Sequence, residues 1–223
     1  MKLATYQSGD GAKIGVVDAE ARRLFDLAGA AKRADADDSP FRSMLSLIDA
    51  DEAGLDAARG LAESRGPESD LWIDLAAAKL LAPLPEPRQM RDAMSFALHI
   101  RQSGRGARAI QARRAKGAEA FKSVMQEPLE DLPTVYRELP IYYITNRFTV
   151  VGTGTTVHWP RYSEVMDYEL EVAIVTRRTR ANIPRSEARR AYLRLYDLQR
   201  LLRPRPAGGG NAGPARTRER QEL

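Results

Sequence analysis

Apolar and polar positions alternate at the start of the chain. Leu3 and Thr5 precede a Gly9-Asp10-Gly11 turn, and Ile14-Gly15-Val16-Val17 follows it. A period of two on either side of a glycine-bearing turn predicts a β-hairpin. Arg23-Leu24-Phe25-Asp26-Leu27 reads as a third short strand. The period then lengthens. Phe41 to Ile48 and Glu52 to Glu63 carry Ala- and Leu-rich faces at helical spacing and predict two helices. Leu80-Leu81-Ala82-Pro83-Leu84-Pro85-Glu86-Pro87 is a strand and linker punctuated by proline, and a domain boundary is expected there.

Residues 88–118 read as a helix broken at Gly104 and Gly106, with Met90, Met94, Ala97 and Leu98 along its apolar side. From Pro140 the period returns to two. Ile141-Tyr142-Tyr143-Ile144 and Phe148-Thr149-Val150-Val151 predict strands, Gly152 and Gly154 turn the chain, and Leu170 to Val175 predicts a further strand. No internal repeat is visible. The pattern is that of an α+β chain with a small β-rich N-terminal domain.

Composition narrows the classes. Hydrophobic residues at 43% and charged residues at 29% fit a globular protein. Cysteine is absent, which excludes disulfides, thiolate metal sites and a cysteine nucleophile, and suits a reducing cytoplasm. The first residues carry no apolar stretch of signal-peptide type, and no apolar run is long enough to span a bilayer, so a cytoplasmic protein without a membrane partner is expected. The net charge of +5 invites a nucleic-acid reading, but five Arg against two Glu from Arg203 onward supply +3 of it. A basic tail of this kind is ordinarily a solvated tail.

Two segments carry candidate chemistry. In Asp167-Tyr168-Glu169-Leu170-Glu171, strand geometry puts Glu169 and Glu171 on one face. Adjacent carboxylates repel, and a hard divalent cation with a preference for oxygen ligands relieves that repulsion. A solvated strand face with two harmless Glu satisfies the same spacing. The other segment is Met90-Arg91-Asp92-Ala93-Met94-Ser95-Phe96-Ala97-Leu98-His99. On a helix, Asp92 and His99 are two turns apart and share a side, so a carboxylate ligand and a general base could face one pocket. His99 and His158 are the chain's two histidines, which limits the candidates for a base titrating near neutrality. An exposed helix pair without a role fits the spacing equally.

Taken together, Asp92 followed seven residues later by His99, then Pro140-x-x-Tyr143, then Asp167-x-Glu169-x-Glu171 resembles the fumarylacetoacetate hydrolase family in order and spacing. The resemblance runs over about residues 83–191. It implies a partial catalytic domain there, an incomplete mixed β-roll or sandwich with flanking helices. Residues 1–82 are similar to the small N-terminal domain many members carry. Asp92, Glu169 and Glu171 would then be metal ligands, for Mg²⁺ or else Ca²⁺ or Mn²⁺. His99 would be the catalytic base, and Arg108 and Tyr143 would contact substrate. The implied reaction is metal-dependent hydrolysis of a carbon–carbon bond in a diketo or 2-oxo acid, of the kind used in aromatic catabolism. Water deprotonated by His99 attacks a carbonyl, and the cleaved fragment leaves as an enolate. Intact relatives are commonly homodimers.

The chain departs from the family after the second Glu. The family's GYTIxNDxSARDxQ strand, with a further metal ligand and substrate-contacting Arg and Gln, is replaced by YLRLYDLQRLLRPRP at Tyr192 to Pro206. With wobble bases chosen, codons for these residues read one base later give IFGYTIYNDFSARD. The same shift through Asn211 to Gln221 permits MQGRLGPAKGK. Residues 192–223 are therefore expected to be an out-of-frame, disordered tail, and the chain to be truncated in function, poorly soluble and inactive. The alternative from a different class is a non-catalytic interaction or nucleic-acid-binding protein using the basic tail. It would show salt-dependent binding that is lost when residues 192–223 are removed.

Overall fold

The structure is a computed structural model and describes residues 1–9, 11–64, 70–159, 161, 167–177 and 181–202. The chain divides into two compact units. One comprises Met1–Pro87 with the described residues from Phe148 onward, and the other Arg88–Arg147.

In the first unit, β1 (Lys2–Ser8), β2 (Gly11–Asp18), β3 (Arg23–Asp26) and β4 (Trp72–Asp74) form an antiparallel sheet in sequence order. The β1–β2 hairpin pairs Ser8 with Gly11 and Lys2 with Val17, as the alternation predicts. Gly15 is required by the sheet, because a Cβ there would lie 2.5 Å from the Phe25 carbonyl oxygen. The strands supply Ile14 and Phe25 to a core that α1 (Leu27–Arg33), α2 (Met44–Asp49) and α3 (Asp51–Glu63) close with Leu27, Ala30, Met44, Leu47, Leu55 and Ala58. Phe41, on a 3-10 turn before α2, completes it.

Helices α1 and α2 begin where side chains can take up free N–H groups. The Asp26 carboxylate accepts from Gly29 N at 3.0 Å, and Ser43 Oγ from Ser46 N at 3.0 Å. The linker runs beside β1. Gln7 N donates to Lys79 O and Leu81 N to Thr5 O, while Thr5 Oγ1 donates to Pro83 O at 2.7 Å.

Tyr6 is 2% exposed, and burial, followed by the negative charge of Asp26, pushes its phenol well above the usual range. A raised folded-state pKa means the folded form keeps its proton where the unfolded chain has lost it. Stability is then full below the unfolded value near 10 and falls as pH rises beyond it. Melting temperatures between pH 9 and pH 11 are expected to fall more steeply for the native chain than for Tyr6→Phe. Parallel curves would refute this.

The same unit contains β7 (Asp167–Thr176) and β8 (Tyr192–Leu202), an antiparallel pair with α7 (Ala188–Ala191) leading into β8. Tyr192–Leu202, expected to open a disordered tail, is thus a strand whose backbone pairs from Asp167 to Thr176, with an irregularity at Val175/Thr176. Residues 203–223 lie outside the described residues. Val175 packs against the N-terminal core. Arg177 Nη1 reaches Asp51 at 2.9 Å and Glu52 at 2.5 Å on the first turn of α3, and its Nε donates to Arg190 O.

The second unit has two antiparallel strands, β5 (Arg91–Ala93) and β6 (Tyr142–Ile144), with α4 (Ala97–Lys116), α5 (Ala118–Gln126) and α6 (Val135–Glu138) between them in sequence. Gly117, at φ +85°, ends α4 in a conformation that suits glycine. The chain after α5 is tied back to α4 by Arg101, which donates to the carbonyls of Glu130 and Leu129, and by Arg105, which donates to that of Glu127.

Three sequence-based expectations fail here. Residues 88–118 are not one helix, because Arg91–Ala93 pairs with Tyr142–Ile144 and the helix starts only at Ala97. Long-range backbone pairing overrides helical periodicity in so short a segment. Gly104 and Gly106 do not break α4, since an isolated glycine costs a helix only about 1 kcal/mol. Phe148–Val151 is not a strand, since Arg147–Thr149 is a 3-10 turn running into the bend at Gly152 and Gly154. Among the described residues, no helix is long and apolar enough to cross a membrane.

Candidate active site

Asp92 and Tyr143 stand directly opposite each other in the β5–β6 ladder. The ladder continues beyond both strands, with Met94 N donating to Ile141 O at 3.0 Å and Thr145 N to Met90 O at 3.3 Å. Both backbones are therefore fixed, and the side chains share one face. Tyr143 Oη donates to Asp92 Oδ2 at 2.5 Å in a half-buried setting. That length belongs to a charge-assisted O–H···O⁻ bond.

His99 lies in the first turn of α4 and is exposed. It is not two helical turns from Asp92, because the intervening chain changes from strand to helix at Phe96. Ser103 Oγ donates to the His99 carbonyl at 2.6 Å. Arg108 lies further along the same helix, its guanidinium 2.8 Å from Glu130 Oε1 and 3.5 Å from Glu127 Oε2. His158 is exposed, in the stretch before β7.

Glu169 and Glu171 project from one face of β7 and are half-buried, whereas Tyr168, Leu170, Val172 and Ile174 on the other face are exposed, Leu170 at 76%. The usual order is reversed: the carboxylates are on the covered side and the apolar residues on the open one. Two like charges on a covered face raise each other's electrostatic energy, which a cation lowers. The donor types fit a hard divalent ion, since Asp92, Glu169 and Glu171 all offer carboxylate oxygens. Among the described residues, no three His, Asp or Glu side chains are gathered into a group able to hold a metal. Asp92 belongs to the second unit and the Glu pair to the first.

Sequence reasoning missed Thr145. It follows Tyr143 by two positions, and its hydroxyl is buried without a hydrogen-bond partner among the described residues. The Tyr-x-Thr alternation was the available signal.

Residues 108–196, which hold Arg108, Tyr143, Glu169 and Glu171, match the Fumarylacetoacetate (FAA) hydrolase C-terminal family. Over that stretch the chain is similar to the fumarylacetoacetate hydrolase family. Two solved structures share the family fold. A protein described as HpcE from Mycobacterium smegmatis is 19% identical with a TM-score of 0.53. A fumarylacetoacetate hydrolase from psychrophilic Exiguobacterium antarcticum is 18% identical with a TM-score of 0.50. Each match covers 90% of this chain, which spans 55% and 56% of the two solved chains. None of the curated proteins matches. The chain has the mixed α+β architecture expected of it, with antiparallel pairing throughout the described sheets.

Proposed function

We propose that this chain carries the cation-binding half of a metal-dependent hydrolase that cleaves a carbon–carbon bond in a small diketo or 2-oxo acid. The observation that carries the reading is the family match over residues 108–196, with the half-buried Glu169/Glu171 pair inside it. On this reading Asp92, Glu169 and Glu171 would be the carboxylate ligands, to Mg²⁺ first and to Mn²⁺ or Ca²⁺ as substitutes. When bound, the cation supplies Lewis acidity at the substrate oxygens.

The chain's own residues supply the rest. The His99 imidazole takes the proton of the attacking water. Arg108 has five donors, enough to keep Glu130 and still meet a substrate carboxylate. Tyr143 contributes a phenol beside Asp92. The protein works in the cytoplasm, as a homodimer when intact.

Tyr192 to Pro206 lacks the Asn-Asp-x-Ser-Ala-Arg-Asp pattern that completes the family's ligand set. We read that segment as out of frame, and the nucleotide sequence across codons 185 to 223 tests it. The chain in hand is accordingly expected to bind the cation but to show no turnover of acylpyruvates.

The decisive measurement is thermal unfolding against Mg²⁺ concentration. At a hundredfold excess over Kd a native-state ligand stabilises by about 2.7 kcal/mol. The melting temperature should rise with Mg²⁺ in the native chain and stay flat when Glu169→Ala and Glu171→Ala are combined. A native chain indifferent to Mg²⁺, Mn²⁺ and Ca²⁺ would remove the metal reading.

A further inference from the structure

We infer that Thr145 is a substrate-contact residue, its hydroxyl donating to an oxygen of the bound keto acid. The inference rests on the substrate class proposed above and draws on no cation.

Thr145 lies two positions beyond Tyr143 and is still in the ladder, since its N donates to Met90 O at 3.3 Å. Strand geometry therefore puts Tyr143 and Thr145 on one face and Tyr142 and Ile144 on the other. Tyr142 and Ile144 are exposed, whereas Tyr143 and Thr145 are half-buried. The covered face is thus the polar one, and Asp92 joins it from β5.

An anionic ligand on that face needs a hydrogen to meet its oxygens. The Tyr143 phenol has a single proton, which goes to Asp92 Oδ2. The Asp92 carboxylate only accepts. The Thr145 hydroxyl differs from both. Its oxygen is covered and meets no hydrogen-bond partner among the described residues. The residue as a whole is half-buried, so the part that water reaches is not the hydroxyl. An unpaired buried hydroxyl lowers stability, and valine would fill the same space without that cost.

For the fold alone the hydroxyl is a liability. A ketone or carboxylate oxygen gives it the partner it lacks. The backbone need not move for this, because one staggered step about χ1 re-aims the hydroxyl while the ladder holds the strand. An apolar ligand would gain nothing from such a donor, which matches the residue to the oxygen-rich substrates of the proposed reaction.

The test uses the full chain with acetopyruvate as the probe, its affinity read by calorimetry and chain stability by melting temperature. Thr145→Val keeps the shape and removes the hydroxyl. It is expected to weaken acetopyruvate binding by about 10-fold, the loss of one hydrogen bond to a charged or polarised oxygen. Without ligand, its melting temperature should equal or exceed the native value. Thr145→Ser, which keeps the hydroxyl, should restore most of the affinity.

Unchanged acetopyruvate affinity in Thr145→Val would overturn the inference and leave the proposed function standing. An equal loss in Thr145→Val and Thr145→Ser would overturn it too, since packing and not the hydroxyl would then matter. A Thr145→Val chain that melts well below the native one, or does not fold, would show that the hydroxyl already serves the fold, and that also counts against it. A native chain that binds no acetopyruvate removes the proposed substrate class, and the inference with it.

Discussion

Phe25→Ala is expected to lower the stability of the first unit by about 3–5 kcal/mol, the usual cost of removing a fully buried phenylalanine. Phe25 is 0% exposed and sits on β3, between β2 and β4. Its ring meets Trp72 with centroids 4.9 Å apart at 50°. Its backbone pairs with Val16 on one side and Trp72 on the other. Truncation therefore opens a cavity under the sheet and removes a favourable aromatic contact. The loss should be at the high end of the range, because the surrounding strands are pinned and cannot collapse into the space. Urea unfolding followed by tryptophan fluorescence would measure it, and a loss below about 1 kcal/mol would contradict this account of the core.

The second large effect is expected at Arg177. Its side chain is 11% exposed, yet it faces Asp51 and Glu52, which are 31% and 53% exposed. Removing one partner of a buried pair costs about 3–5 kcal/mol, but water can reach both acids here, so roughly 1–3 kcal/mol is the expected loss for Arg177→Met. Methionine keeps much of the stem packing, so the loss isolates the charge. Arg177→Lys should recover only part, because a point ammonium cannot serve the two acids that Nη1 meets and the Arg190 carbonyl that Nε meets at once. The cost should shrink in high salt only modestly, since the guanidinium is shielded from solvent. Equal stability of Arg177→Met and the native chain would show that the contact is ornamental.

Much of the N-terminal fold was legible because its signals are local. The alternation of Leu3, Thr5, Ile14 and Val16 about a glycine turn needs no distant partner, and the β1–β2 register follows it. The strand β4 was not legible. Three residues carry no period, and Trp72–Asp74 is a strand only because β3 offers it an edge. The helix α1 was hidden for another reason: Asp26, read as part of a strand, also caps Gly29 N, and seven residues are too few for a clear stripe. At the candidate site, period two placed Glu169 and Glu171 on one face of β7. Asp92 defeated the same reasoning. Its seven-residue spacing from His99 suits a helix, but the local chain is strand because of β6, some fifty residues away. The bond from Tyr143 to Asp92 has that same long-range origin, which is why the two residues were given separate roles from sequence.

Leu170-Glu-Val-Ala-Ile-Val175 has the composition of a fibril-forming segment: strong strand propensity, no proline, and one side open to water. A single charge interrupts it. Glu171 therefore acts as a gatekeeper against lateral stacking as well as a candidate ligand. Any substitution that neutralises this carboxylate also lifts a barrier to cross-β assembly, so the chain's colloidal behaviour hangs on one side chain.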